Sequence, residues 1–325
     1  MATARAGGRG HALLPRAIAG GRRFARRHRI AIAITGSLAA AAILALVLAG
    51  RRQEFAAAVS SAALWLLALT ALLQLIALLV RTEAWHLCIR AAGGTADRRV
   101  IYRASSFGVL GSFVQGQISV AARIAALRRS SPELAPQVPT LIAAEVPILA
   151  IEAALAALTS FTLVGPLGLP WWLPIVAVAA VGTVSAGLRH LALRKGRELW
   201  KGLAVLRTAR AGMRVVGLVL IAVFAQIFRN WLLLHAVGVD ASFFDAIAVL
   251  IAVVTLSQLP VGPSVGAAAA VLILGSNGVA AVAAAGVLST VTGIAGGLVF
   301  ASWAGADWLW VRGRRRRPEV APAVT

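Results

Sequence analysis

Cysteine and acidic side chains are scarce in this chain of 325 residues. Cys88 is the single cysteine, so neither an internal disulfide nor a cysteine-based metal site is expected. The five histidines are scattered and lack the HxxxH type of spacing that holds a metal ion. Only 11 residues are Asp or Glu, and the sequence contains no P-loop. We therefore expect no metal, no cofactor, no ATP bound to this chain and no enzyme activity.

Charged residues are also few, at 13% of the chain, whereas hydrophobic residues make up 60% and the mean hydropathy is +0.86. A soluble domain is nearer half apolar and one quarter charged. This composition predicts an all-α polytopic membrane protein. A net charge of +21 would suggest nucleic acid binding in a soluble protein. Here the arginines lie at the ends of apolar segments, where membrane orientation and anionic lipids explain them, and no nucleic acid partner is expected.

Six apolar segments have the ~20 residues that a bilayer core requires. They are residues 30–50, 56–80, 139–164, 171–191, 215–237 and 279–303. Basic side chains are concentrated in residues 1–29, 81–103, 189–214 and 306–325. The positive-inside rule places these basic stretches, and so both termini, in the cytoplasm. We expect a disordered basic tail over residues 1–29, a transmembrane domain over 30–305 and a second basic cytoplasmic tail over 306–325.

Two further apolar segments do not fit as simple spans. Residues 104–127 are interrupted by polar residues and contain Arg123, and residues 243–274 are interrupted by two prolines and two glycines. Because six spans already return the chain to the cytoplasm, each segment must enter and leave on one face, the first from the cytoplasm and the second from outside. Two oppositely directed re-entrant hairpins are typical of an inverted repeat. The alternative is eight ordinary spans, which would leave Arg123, Arg128 and Arg129 outside.

The second interruption reads LSQLPVGPSVG and ends at Gly266. Proline removes a backbone donor and glycine is too free to hold a helix, so the helix must break here. Broken backbone at membrane depth is tolerated only where protein covers it or where it lines a cavity. A helix that begins near Ser264 would direct free amides and its dipole at the break, which favours an anion. The alternative is that the small residues only allow close helix packing.

Charged and polar residues inside the spans are the other candidates. Arg229 and Asn230 fall within residues 215–237, where an ionisable group is costly and by default marks a pathway or an ion pair. Glu145 and Glu152 are seven residues apart, on one helical face, and could pair with Arg229 or Arg123 or carry protons. Gln115, Gln117 and Arg123 could meet a headgroup or bond between helices. Ser289, Thr290 and Thr292 are expected to bond to their own helix. The predicted binding residues are Gln115, Gln117, Arg123, Glu145, Glu152, Arg229, Asn230, Ser257, Gln258, Pro260, Gly262, Pro263, Ser264 and Gly266.

Several short motifs resemble the lysylphosphatidylglycerol synthase transmembrane region, also called the flippase-like domain. The sequence RTEAW at residues 81–85, followed by Gly93, resembles that family's Arg-x-x-x-Trp…Gly entry. The sequence GQISVAAR at residues 116–123 stands where the family has a Pro-Gly-x-x-Gly-acid…Arg turn, and Glu145 lies where a short acidic motif follows. The sequence LPVGPSVG at residues 259–266 is similar to the family's Leu-Pro-x-x-Pro-Gly-Gly-x-Gly turn. The resemblance covers roughly residues 30–305.

The chain departs from the family at two acids. Ser119 and Val120 stand where the family has an acid after the first hairpin's glycine, and Ala267 to Ala269 stand where it has a glutamate after the second turn. No soluble domain is expected after Trp310, whereas the members that synthesise aminoacyl-lipid carry one. The resemblance therefore implies a stand-alone flippase-like module rather than a synthase.

These features together predict about six transmembrane helices and two re-entrant hairpins in a bacterial cytoplasmic membrane. The expected function is to bind an anionic phospholipid or lipid-linked headgroup and move it between leaflets, with Arg123 and Arg229 holding the charge. One alternative is a non-catalytic scaffold for a separate lipid or glycan synthase. Another is a membrane-embedded enzyme on lipid-linked substrates, which would require clustered acids or histidines. Expected partners are membrane lipids and either a separate synthase or a second copy of the chain.

Overall fold

The computed structural model describes residues 49–112, 116–194, 198–256, 265–275 and 278–315, together with five isolated helical positions before residue 49. Within these ranges every regular element is a helix, which confirms the all-α prediction. The predicted span at residues 30–50 and the tail predicted at residues 1–29 lie largely or wholly outside the described residues. The first half of the tail predicted at residues 306–325 is helical, as far as Arg315, and the rest lies outside the described residues. The middle parts of both predicted hairpins, residues 113–115 and 257–264, also lie outside them.

Thirteen α-helices follow one another along the described part of the chain. They are α1 Arg52–Ser61, α2 Leu64–Ala91, α3 Arg98–Ser112, α4 Gly116–Ser130, α5 Val138–Ala143, α6 Val146–Thr159, α7 Val164–Leu167, α8 Leu173–Arg194, α9 Glu198–Lys201, α10 Ala209–Ala236, α11 Phe243–Leu256, α12 Val265–Leu274 and α13 Val279–Arg315. Short 3₁₀ turns cover Ala49–Arg51, Ser160–Leu163 and Ala204–Arg207.

Five stretches of helix in the described residues are long and apolar enough to cross a membrane. They are Leu64–Ala91, Val138–Leu167, Leu173–Leu191, Ala209–Ala236 and Val279–Val311. At about 1.5 Å per residue, the 28 residues of α2 extend roughly 42 Å, which exceeds the ~30 Å hydrocarbon core. Five of the six predicted spans therefore have a helical counterpart, and the chain is a multi-pass membrane protein.

The predicted span at residues 56–80 is wrong in its bounds. Helix α1 ends at Ser61 and α2 begins at Leu64, because Ala62 and Ala63 are extended, with ψ angles of 111° and 133°. The hydroxyl of Ser61 donates to the carbonyl of Ala58 at 2.8 Å, and such local bonds compete with the helix ladder. Helix α2 then continues to Ala91, so Arg81 lies inside a helix rather than in the predicted loop.

Helices α2 and α10 pack antiparallel, and α13 packs against both. Near the middle of the pair, Gln226 Nε2 of α10 donates to Gln74 Oε1 of α2 at 2.7 Å. At one end, Ser61 Oγ donates to the carbonyl of Ala236 at 3.3 Å. At the other end, α2 ends at Ala91 and α10 begins at Ala209, and the C-terminal end of α13 lies on the same side. We call this the basic end. There Arg103 of α3 pairs with Asp307 of α13 at 2.5 Å.

The four helices that correspond to the two predicted hairpins are each too short to cross the hydrocarbon core alone. Helices α3 and α4 have 15 residues each, α11 has 14 and α12 has 10, so their lengths are about 15–22 Å. Helix α3 packs along α4, and α11 packs against α12. The first pair approaches closely, since a Cβ on Gly108 would lie 3.1 Å from the carbonyl oxygen of Ser119. Each predicted hairpin thus corresponds to two short helices in contact.

Candidate functional site

The guanidinium of Arg229 is the centre of a polar cluster inside the bundle. Arg229 lies about 10 Å before the end of α10, at roughly 1.5 Å per residue, and is 6% exposed. Its Nη1 donates to Gln74 Oε1 and, at 2.8 Å, to Gln226 Oε1. Its Nη2 donates to the backbone carbonyl of Ser289 and, at 2.8 Å, to Ser289 Oγ. The hydroxyl of Ser289 in turn donates to Asn230 Oδ1 at 3.3 Å.

Every described partner of this guanidinium is neutral. None of the ion pairs among the described residues involves Arg229. Its Nε is buried and has no hydrogen-bond partner in the described part of the chain. Among the described residues, only amide, hydroxyl and carbonyl dipoles therefore solvate the positive charge. We call Gln74, Gln226, Arg229, Asn230 and Ser289 the Arg229 cluster.

Small residues on α13 make room for this arginine. A Cβ on Gly293 would lie 3.3 Å from Arg229 Nη2, and Gly293 is one helical turn beyond Ser289 on the same face. The expectation that Ser289 bonds only to its own helix is wrong, because its hydroxyl reaches across to α10. The same expectation is confirmed for Thr292, whose hydroxyl donates to the carbonyl of Leu288 at 2.8 Å. For Thr290, a bond to its own helix is present at 3.1 Å, to the carbonyl of Gly286.

A small cavity adjoins the Arg229 cluster and the start of α12. Its volume is about 10 Å³, enough for about one water molecule, and its polar lining includes Asn230 and Ser289. Gly266 lines the same cavity, so this predicted residue lies beside the cluster. The backbones here are also closely packed, since a Cβ on Gly286 would lie 2.3 Å from the Cα of Ala267. The first turn of α12 therefore adjoins both a polar site and a tight helix contact, which are the features of the two interpretations that the sequence left open.

Arg123 and Glu145 form a second, separate cluster. They are 8% and 4% exposed, and Arg123 Nη2 donates to Glu145 Oε1. The guanidinium also stands over the ring of Trp85, 4.2 Å from its centroid. Trp85 lies 11 residues beyond Gln74 on α2, which separates the two clusters by about 16 Å along that helix. The charge of Arg123 is balanced by its partner, whereas no described residue balances that of Arg229.

Glu145 and Glu152 form ion pairs with different arginines. Of the two arginines considered for Glu145, Arg123 is its partner, and Glu152 instead pairs with Arg81 of α2. Neither glutamate contacts Arg229. Glu145 precedes α6 with helical φ and ψ angles of −77° and −29°, and its carbonyl accepts from the Leu149 N–H at 3.0 Å. The two glutamates therefore lie two turns apart on one helical face, as predicted, just after a short interruption between α5, which ends at Ala143, and α6, which begins at Val146. Pro147 in the first turn of α6 accounts for this interruption, since proline is accommodated there but not within a helix.

The remaining predicted residues fall outside the described part of the structure. Gln117 lies in α4, but its side chain is outside the described residues. The others are Gln115, Ser257, Gln258, Pro260, Gly262, Pro263 and Ser264. Sequence reasoning missed Gln74 and Gln226, although each is an amide within an apolar run and Gln226 lies one turn before Arg229, where side chains meet. Within the described ranges, no three His, Cys, Asp or Glu side chains are placed to hold a metal ion.

Comparison with known proteins leaves the family open. No family model, no curated protein and no solved structure matches this chain. The resemblance to the lysylphosphatidylglycerol synthase transmembrane region therefore stays a prediction that depends on the short motifs.

Proposed function

We propose that this protein binds the anionic headgroup of a lipid at the Arg229 cluster and moves that lipid between the two leaflets. The observation that carries the proposal is a buried guanidinium in a membrane-spanning helix, all of whose described partners are neutral. Insertion scales put the cost of an arginine at the bilayer centre at about 2.5–3.5 kcal/mol, and such residues by default mark a substrate path. A phosphate oxygen would supply the missing negative charge and accept from Nε as well.

The surroundings of the cluster favour transport over a static role. Gln74 and Ser289 each lie about 15 Å into their helices, roughly half the depth of a hydrocarbon core. Discontinuous helices near the midplane are the usual binding elements of transporters, and the first turn of α12 borders the same cavity as Asn230. Arg123 plays a different part in this proposal, because Glu145 already balances its charge. It would hold α4 against α2 through Trp85 rather than take the headgroup.

The proposal includes two oppositely directed re-entrant pairs. Helices α3 and α4 would enter from the basic end, and α11 and α12 from the opposite end. In a Cys88→Ser background, Ser130→Cys and Ser276→Cys can each be exposed to a thiol reagent that does not cross membranes. We expect Ser276→Cys to be labelled in intact cells and Ser130→Cys to be labelled only after the cells are opened. Labelling of Ser130→Cys in intact cells contradicts this topology.

The function is tested by leaflet movement of fluorescent phosphatidylglycerol and of neutral phosphatidylcholine in liposomes that contain the purified protein. We expect the anionic lipid to move faster, and Arg229→Ala to slow it at least tenfold at equal reconstitution. Arg229→Lys keeps the charge but cannot reach the same set of acceptors, so we expect an intermediate rate. Arg99→Ala, which removes an exposed arginine, is the matched control. Failure of the wild-type protein to move either lipid favours the scaffold alternative.

A further inference from the structure

A second basic site lies at the basic end, in a pocket between α2, α10 and the turn Ala204–Arg207. Its volume is about 580 Å³, within the usual range of ligand pockets. Arg90 of α2 and Arg210 and Arg214 of α10 line it, and Leu87 and Ala211 contribute apolar walls. The pocket therefore combines three guanidinium groups with a hydrophobic surface, which suits a ligand that has an anionic head and an apolar body.

These three arginines differ from most of their neighbours because they have no acidic partner among the described residues. Arg81, Arg98, Arg103 and Arg123 each pair with a carboxylate. In the described part of the chain, the side chains of the three pocket arginines form neither an ion pair nor a hydrogen bond. All three are exposed, so their donors are accessible to a ligand. Charges of one sign gathered in this way repel one another unless an anion lies among them.

The pocket also lies at the depth of lipid headgroups. Arg90 is next to the last residue of α2, and Arg210 and Arg214 are in the first two turns of α10, so the pocket opens where two membrane-spanning helices leave the hydrocarbon core. Thr208 precedes α10 without capping it through its side chain, which leaves first-turn amides as additional donors. Basic pockets between transmembrane helices bind phosphate-bearing lipid headgroups in this setting.

We propose that this pocket binds the phosphate headgroup of an anionic lipid from the leaflet at the basic end, before the lipid reaches the Arg229 cluster. Both sites border the same pair of helices, and Arg214 and Arg229 are about 22 Å apart along α10. This proposal depends on the proposed function for the later step, in which the bound lipid crosses the membrane. Binding at the pocket is a separate and separately measurable event.

The test counts bound lipid by native mass spectrometry of the full-length protein in a neutral detergent. Phosphatidylglycerol is titrated against wild type, against the triple variant Arg90→Ala, Arg210→Ala, Arg214→Ala, and against a control triple. The control removes three exposed arginines elsewhere: Arg99→Ala, Arg129→Ala and Arg189→Ala. Each basic side chain adds about fivefold to affinity for anionic lipid, so the pocket triple is expected to bind phosphatidylglycerol about a hundredfold more weakly. The control triple is expected to bind it like wild type.

Each outcome is decisive for the pocket. Equal affinity in the pocket triple and wild type overturns the inference, as does an equal loss in both triples, which would indicate only general positive charge. Inorganic phosphate is titrated as a competitor, and displacement of the lipid at comparable concentration would assign the pocket to soluble phosphate instead. A triple substitution to glutamine, which keeps polar side chains without charge, replaces the alanine triple if that variant elutes as aggregate.

Leaflet movement measured on the same preparations separates the two proposals. A wild-type protein that binds phosphatidylglycerol through the pocket arginines but moves no lipid would refute the proposed function and leave the binding site standing. If the pocket triple moves lipid at the wild-type rate and binds phosphatidylglycerol with the wild-type affinity, the binding site at the pocket is refuted and the proposed function is not.

Discussion

Gly286→Ala is the most direct perturbation of the contact that holds α12 beside the Arg229 cluster. Gly286 lies on α13, where its missing side chain faces the backbone of α12. A Cβ at this position would lie 2.3 Å from the Cα of Ala267 and 2.6 Å from its backbone nitrogen. Both are backbone atoms, so no side-chain rotation can relieve the overlap. The helices must separate, or α12 must move.

The size of the effect follows from these distances. Ordinary carbon contacts begin at about 3.5 Å, so one backbone must shift by roughly 1 Å. Overpacking of this kind costs about 1–3 kcal/mol in well-packed interiors. Because Gly266 and Ala270 of α12 also line the cavity, the shift changes the wall that faces Asn230. We therefore expect both a lower free energy of unfolding and slower movement of phosphatidylglycerol.

Gly305→Ala is the matched control, since Gly305 belongs to the same helix and a Cβ there meets nothing within 4 Å. Unfolding is followed by SDS titration of the detergent-solubilised protein, and lipid movement in liposomes. Gly305→Ala should leave both values close to wild type. If Gly286→Ala proves as stable and as active as Gly305→Ala, the close approach of α12 to α13 and the reasoning built on it are wrong.

The remaining predictions concern the two glutamates of the α5–α6 region. Glu145→Gln should lower the free energy of unfolding by about 3–5 kcal/mol, because it leaves the buried Arg123 without its counter-charge. The double variant Arg123→Met, Glu145→Leu should recover most of that loss, and a double variant no more stable than Glu145→Gln would contradict an ion pair as the cause. Glu152→Gln should cost less than about 1 kcal/mol, since the side chain of its partner Arg81 is 40% exposed and water screens the pair. An equal loss in Glu145→Gln and Glu152→Gln would refute this ranking.

Much of the fold could be predicted because the bilayer imposes strong constraints on sequence. A span needs a long apolar run, and residues 215–237 and 279–303 correspond to the long helices α10 and α13. The bounds were less predictable. The break at Ala62 and Ala63 has neither proline nor glycine to mark it. Helix α2 continues past Arg81, whose partner Glu152 is 71 residues away in the sequence.

The candidate site was predictable in its charges but not in its partners. Arg229 and Arg123 are conspicuous because ionisable residues are rare within apolar runs. Arg123 has a carboxylate partner, whereas the described partners of Arg229 are Gln74, Gln226 and Ser289. This difference depends on which helices are in contact. In the sequence, Gln74 and Ser289 are ordinary polar residues within apolar runs. Their contacts with Arg229 become visible only in the structure, where α2 and α13 both pack against α10.

The sequence by itself determined that this is an all-α, multi-pass membrane protein with a few costly charges in its spans, and it predicted two interruptions of the helical pattern. These properties follow from local chemistry: apolar length, proline and glycine at the break, and arginine at the ends of spans. Only the tertiary structure decided which charge is balanced. Charge balance depends on contacts between helices distant in sequence, such as the 60-residue separation between Arg229 and Ser289. A single segment's hydrophobic pattern shows that a helix has neighbours to pack against, but it does not identify the side chains those neighbours present.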